Sequence, residues 1–225
     1  MHSVSLGETP STFRLQKVSI AGALLLAALY MPRIPMAAAD PFRSLYNATK
    51  RHRSQHGCLA YTFEDGPNLV ALVQKLRPNR VLELGTALGY TACIFSTGRP
   101  TTKVDTVERD PEHVRLAREN VASVGLTERV KVIEGDFNQV LPKLPAAGYD
   151  VAFFDGYAPS MDIIDTLRTK LSGEGTLICG NLGLVSDSAE SRRLSKELAD
   201  KSRWLTEWAL EGGATAVAKK VNGQQ

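Results

Sequence analysis

The 225-residue chain has little cysteine, few aromatic residues and no marked excess of one charge. Its three cysteines, Cys58, Cys93 and Cys179, lie far apart and form no Cys-x-x-Cys pair. That spacing argues against a disulfide-framed fold or a metal site and reads as core or incidental thiols in a reducing compartment. The net charge is only +3, and the basic residues gather into no long run, so no nucleic-acid partner is expected. Long apolar runs are also missing. The most apolar block, VSIAGALLLAALYM at 18–31, has about 14 residues, against the roughly 20 of a spanning helix. What is present is ordinary for a soluble domain: 43% apolar and 23% charged residues. The length suits one α/β domain with a full core, with or without an N-terminal extension.

The chain divides near residue 57. Residues 1–56 read as an extension carrying the apolar segment 18–31, and 57–221 as the main domain. Arg14 and Lys17 precede the apolar block, and an Ala-x-Ala precedes Asp40. A signal peptide, a membrane-associated anchor, a helix packed on the domain or on a partner subunit, and an upstream extension starting again at Met31 or Met36 all fit.

From residue 57 onward, short apolar runs alternate with amphipathic stretches. NLVALVQKL has helical spacing. RVLELG reads as a buried strand ending in a glycine turn, followed by a helix over YTACIFSTG. KVDTVERD is a strand, and PEHVRLARENVASVG a helix opened by proline and closed by glycine. The strands VKVIEGD, YDVAFFDG and GTLICGN follow, separated by helical FNQVLPKL and DIIDTLRTKL, and a further helix spans roughly 188–201. WLTEWALEGGATAVAKK reads as two antiparallel strands joined at Gly-Gly. This alternation predicts an α/β fold, with a parallel sheet covered on both faces.

Ligands of such sheets sit at the carboxyl ends of the strands. The loop after the first strand, GTALG, lacks the third glycine of the dinucleotide fingerprint. Glu83, two residues ahead of Gly85, would repel a pyrophosphate there. A ligand with positive charge and no phosphate is favoured, and S-adenosylmethionine has that chemistry. Further acids follow at successive strand ends. Glu108 stands a little over 20 residues beyond Gly85, where a carboxylate can accept ribose hydroxyls. Asp136 can reach the adenine edge, and Asp155 lies where a methyl acceptor would be. Each alone reads as a solvated loop acid; four in series point to a site.

The segments VLELGTALGYTA, VDTVERDPEHVRLARENVASVGLTERVKVIEGD, YDVAFFDG and LEGGATAVAKK resemble class I S-adenosylmethionine-dependent methyltransferases of the catechol/caffeoyl-CoA-type O-methyltransferase family. The resemblance covers about 57–220 and implies a Rossmann-like three-layer sandwich, its seven-stranded, mostly parallel sheet ending in an antiparallel strand. It implies that Glu83, Gly85, Thr86 and Gly89 line the cofactor pocket with Tyr90 beside them. Glu108, next to Arg109, would take the ribose, and Asp136 with Phe137 would frame the adenine.

That family commonly activates its acceptor with a divalent metal such as Mg²⁺, using two aspartates, an asparagine and a nearby lysine. Here Ala158 stands in place of the lysine and Gly180 in place of the second aspartate, leaving Asp155 and Asn181. One carboxylate and one amide are a poor donor set for a hard cation unless Asp150, Asp162 or Asp165 substitutes. Metal-free methyl transfer is expected instead, with a small-molecule acceptor positioned in line and deprotonated by Asp155, Tyr157 or His56. His56 also reads as a surface histidine of KRHRSQH, His113 as exposed, and Trp204 and Trp208 as core or interface residues. Methylation of nitrogen, and a cofactor-binding partner subunit without catalysis, remain as alternatives. The cofactor class implies a cytoplasmic protein, with membrane association or export through 18–31 as the alternative; homodimerisation is common among such relatives.

Overall fold

Two alternating registers of side chains run through the central strand β1, Arg80–Leu84, and they set the two layers of the core. Val81 joins one apolar layer, while Leu82 and Leu84 join the other. Four of the five β1 residues are buried, as expected of a strand covered on both faces. The computed structural model describes residues 39–156, 159–182 and 188–221. The apolar segment 18–31 and Tyr157 fall outside the described residues.

Helix α1 spans Arg43–His56 and α2 Gly66–Leu76, ahead of β1. Then follow α3 (Tyr90–Phe95), β2 (Lys103–Glu108), α4 (Pro111–Ser123), β3 (Val130–Glu134) and the short α5 (Phe137–Val140), which leads into a 3₁₀ turn at Leu141–Lys143. The chain continues through β4 (Tyr149–Phe154), α6 (Met161–Lys170), β5 (Leu171–Cys179) and α7 (Ser188–Ala199). It closes with β6 (Trp204–Ala209), a 3₁₀ turn at Glu211–Gly213, and β7 (Thr215–Lys220).

The sheet order is β3-β2-β1-β4-β5-β7-β6. Pairs among β1 to β5 are parallel, and β7 is antiparallel to both β5 and β6, as the Gly-Gly hairpin predicts. The order reverses between β1 and β4, and ligands of such sheets bind beyond the carboxyl ends of the strands at that point. Asp110 caps α4 through the Glu112 and His113 amides, with Pro111 at the first helical position.

Two features differ from the sequence expectation. Residues 43–56, counted with the extension, form α1, whose Leu45 and Tyr46 lie buried in the same apolar cluster as α2 and α3 residues. His113, expected to be exposed, is only 4% exposed, because the α1 side chain His52 packs edge-on against its ring at 5.7 Å. Trp204 is fully buried and donates from its indole nitrogen to Glu197 at 2.8 Å, whereas Trp208 is half exposed. Among the described residues no helix is long and apolar enough to cross a membrane.

Candidate functional site

The alternation along β1 carries Glu83 to the same side as Val81, into the layer covered by α3, with no exposed surface. Register places it opposite Thr106 of β2 and Phe153 of β4. The Thr106 hydroxyl donates to Glu83 Oε2 at 2.6 Å. A hydroxyl has one proton, so the 2.6 Å contact between Thr86 and Thr106 has Thr86 as donor. This chain of hydroxyls satisfies one carboxylate oxygen. The other, Oε1, is buried and makes no well-formed hydrogen bond among the described residues, although the Thr91 hydroxyl also acts on this carboxylate. Burial pushes the Glu83 carboxyl up to about 8, with the negative charges of Glu108 and Asp155 acting in the same direction.

Beyond Glu83 the backbone turns through Gly85, whose φ of +93° favours glycine. A side chain added there would meet no heavy atom within 4 Å, so the loop borders open space. Gly89 caps α3 at a φ of +91°. Tyr90, the first residue of α3, is buried and its hydroxyl donates to Asp40 at 2.7 Å. Burial, reinforced by Asp40, raises its pKa far above the ordinary phenol range. Its ring stands edge-on to Tyr46.

Glu108 ends β2 and ties the loops together. Its Oε2 accepts from the Ala87 amide at 3.0 Å and its Oε1 from the amides of Arg109 and Asp110. Oε2 keeps a second lone pair for a ligand hydroxyl, whereas Oε1 already accepts twice. The Arg109 side chain is exposed. Asp136 follows β3 and accepts from the Asn138 amide at 2.9 Å, capping α5. Phe137 next to it is half-buried, edge-on to Phe154.

Asp155 follows β4, on the far side of the switch point. Asn181 Nδ2 donates to its Oδ1 at 3.0 Å and to its carbonyl at 2.8 Å. Burial pushes the Asp155 carboxyl up to about 7, and the negative fields of Glu211 and Glu64 add to it. Neither Glu64 nor Glu211 was singled out from sequence. Both are distant in the chain, and only the packing of the 57–65 segment and the β6–β7 hairpin turns them toward Asp155. Thr106 was likewise missed, since its role depends on the β1–β2 register.

Gly180, just past the end of β5, lies against the Asp155 carboxylate. A Cβ there would lie 2.2 Å from Asp155 Oδ1, so no side chain fits while Asp155 holds this position. Gly180→Ala is expected to displace the Asp155 carboxylate and lower turnover by about 100-fold, the scale of a 1 Å misplacement. Steady-state kinetics of that variant against wild type give the measurement; an unchanged rate would show that the position of Asp155 is immaterial.

The other acids weighed as metal ligands lie elsewhere. Asp150 accepts from the Asn79 and Arg80 amides at the opposite end of the sheet, and Asp165 pairs with Arg203 at 3.1 Å. Asp162 is exposed in the first turn of α6. Among the described residues, Asp155 belongs to no group of three or more potential metal-ligating side chains. One carboxylate at 155 and one amide at 181 are a poor donor set for a hard divalent cation. His56, the remaining base candidate, is exposed at the end of α1 with its ring 4.5 Å from that of His52.

Known proteins resemble this chain in sequence and in fold. Residues 82–182 match the family profile described as a methyltransferase domain. A catechol O-methyltransferase of Niastella koreensis is 32% identical over 117 residues, covering 50% of this chain and 53% of the relative. A protein-L-isoaspartate O-methyltransferase of Methanopyrus kandleri is 35% identical over 117 residues, covering 50% of each. The chain thus spans about half the length of these curated relatives. The SAH-bound crystal structure of the Podospora anserina methyltransferase PaMTH1 superposes with a TM-score of 0.67 at 19% identity, covering 94% of this chain and 99% of that one. Residues 82–182, a little under half of the chain, match a methyltransferase-domain profile, and the seven-stranded sheet shares its fold with that solved methyltransferase.

Proposed function

We propose that the protein transfers a methyl group from S-adenosylmethionine to an oxygen of a small-molecule acceptor, without a catalytic metal. The observation that carries this reading is the row of acids at the carboxyl ends of adjacent strands, Glu83, Glu108, Asp136 and Asp155, with Glu83 and Asp155 both driven up by burial. Buried carboxyls whose ionisation is costly gain most from a cationic ligand, and they offer a phosphate no positive partner. A Glu83 Oε1 without a well-formed hydrogen bond and the open space over Gly85 support a fit to the cofactor. Relatives with different acceptors in their names match over about half the chain, which supports a shared cofactor half and leaves the acceptor to the other segments.

In this reading Glu83 holds the positive end of the cofactor, Glu108 the ribose, and Asp136 with Phe137 the adenine. When bound, the cofactor supplies an electrophilic methyl group whose transfer neutralises the sulfonium. Asp155, held by Asn181, accepts the acceptor hydroxyl proton as the new carbon–oxygen bond forms. Its carboxyl pKa of about 7 makes it a far better base than an ordinary carboxylate near neutral pH. Loop alignment of the two reactants contributes the remainder of the acceleration.

Calorimetric titration with S-adenosylhomocysteine, followed by turnover of a panel of catechols, phenols and amines, tests the proposal on metal-free protein with and without Mg²⁺. Cofactor binding and turnover of hydroxyl acceptors are expected, with no gain from Mg²⁺. Absence of binding overturns the cofactor assignment. Binding without turnover of any acceptor supports the non-catalytic partner reading, and strict Mg²⁺ dependence overturns the metal-free mechanism.

A further inference from the structure

Three potential metal ligands meet where α1, the turn after it and the first turn of α4 come together. His52 lies one helical turn before His56. Gly57, at a φ of +62°, ends α1 in a left-handed cap and its amide donates to Arg53, reversing the chain into Cys58. His113 reaches the same place from α4. The ligand atoms of His52, Cys58 and His113 all lie within 4.8 Å of one another. Among the described residues no hydrogen bond engages these ring nitrogens or the thiol, although His113 is almost fully buried and the other two are half-buried.

We propose that His52, Cys58 and His113 form a binding site for a borderline transition-metal ion of the Zn²⁺ class. Two imidazoles and a thiolate are the donor set such ions select, while Mg²⁺ and Ca²⁺ require oxygen. Bonds of about 2.0–2.3 Å put tetrahedral ligand atoms roughly 3.3–3.8 Å apart. Separations of up to 4.8 Å close to that range through small side-chain rotations. The nearby acids are already engaged: Asp110 caps α4, and Glu112 pairs with Arg115 at 2.6 Å.

Burial pushes the other two thiols, Cys93 and Cys179, up to about 12, so Cys58 is the cysteine open to metal chemistry. A bound ion would clamp the end of α1 and the following segment onto α4. That segment continues to Glu64, which accepts from the Tyr46 hydroxyl and pairs with Lys50.

The test uses reduced, untagged, metal-free protein titrated with Zn²⁺ against a chromophoric chelator, and with Co²⁺ as a spectroscopic probe. The expected result is one Zn²⁺ per chain, a thiolate-to-cobalt charge-transfer band, and a rise in melting temperature on Zn²⁺ addition. Cys58→Ser is expected to abolish the band. His52→Gln and His113→Gln are expected to weaken Zn²⁺ binding by at least about 10- to 100-fold, the loss produced by disturbing even an outer-shell partner. His113 is nearly fully buried, so circular dichroism checks that its variant folds; Cys58→Ser and His52→Gln decide the matter if it does not. Failure to compete with the chelator, or an affinity unchanged in both Cys58→Ser and His52→Gln, overturns the proposal. Metal binding is read without methyl transfer, so its failure is distinct from failure of the catalytic reading.

Discussion

Asp155→Asn lowers kcat by about 10²- to 10⁴-fold in the expected result, the range of a lost general base, while S-adenosylhomocysteine binds within a few-fold of wild type. The asparagine keeps the shape of the side chain and a hydrogen-bonding group beside Asn181, so what it removes is the proton acceptor. The pH profile separates loss of the base from loss of packing. A base works only when deprotonated, so activity is absent well below its pKa and reaches a plateau above it. With cofactor saturating, the wild-type kcat/KM for the acceptor is expected to rise with pH through an inflection at or below 7. The free carboxyl titrates at about 7, and a cationic neighbour moves it down. Asp155→Asn is expected to lose that rising limb. A variant that kept both the limb and the rate would remove Asp155 from the chemistry and turn attention to His56 and Tyr157.

The second large effect is expected at Glu83, where cofactor binding and stability move in opposite directions. Its carboxyl is raised from 4.5 to about 8 in the folded protein. Between those values the native state binds more protons than the unfolded chain, so stability contributed by this group is full below pH 4.5 and is lost as pH rises to 8. The whole shift corresponds to at most about 5 kcal/mol. Glu83→Gln is therefore expected to melt at a higher temperature than wild type at pH 8, with the difference shrinking toward pH 5. The same variant is expected to bind the cofactor about 10- to 100-fold more weakly, since a hydrogen bond to a charged group contributes about 1.5–3 kcal/mol. Calorimetry at pH 7 in buffers of different ionisation enthalpy adds a direct readout. Binding of the cationic cofactor should expel a proton from the wild-type pocket, and Glu83→Gln should diminish that release. Equal affinity of the two proteins would show that Glu83 serves the fold and not the ligand.

Much of the site was legible before any coordinates because its elements are local. The turn at Gly85 and the strand–helix alternation are properties of short stretches. Glu83, Glu108, Asp136 and Asp155 could be assigned to one end of the sheet because parallel strands joined by crossover helices all end on the same side. The roles of Thr106, Glu64 and Glu211 could not be read this way. Thr106 supports Glu83 through a register between strands, and the two glutamates press on Asp155 from segments far away in sequence. Gly180 read as a missing metal ligand, whereas the Asp155 carboxylate occupies the space its side chain would need.

The sequence by itself determined the strand–helix alternation, the final antiparallel hairpin and the row of acids, since periodicity and chain order suffice for these, while the resemblance supplied the seven-stranded sheet. Tertiary structure alone decided that α1 belongs to the core, that His113 is buried beneath it, and that Cys58 meets two histidines. It also decided which acids change their protonation. Desolvation and the field of nearby charges depend on what packs around a carboxylate, and those neighbours are set by folding, not by position along the chain.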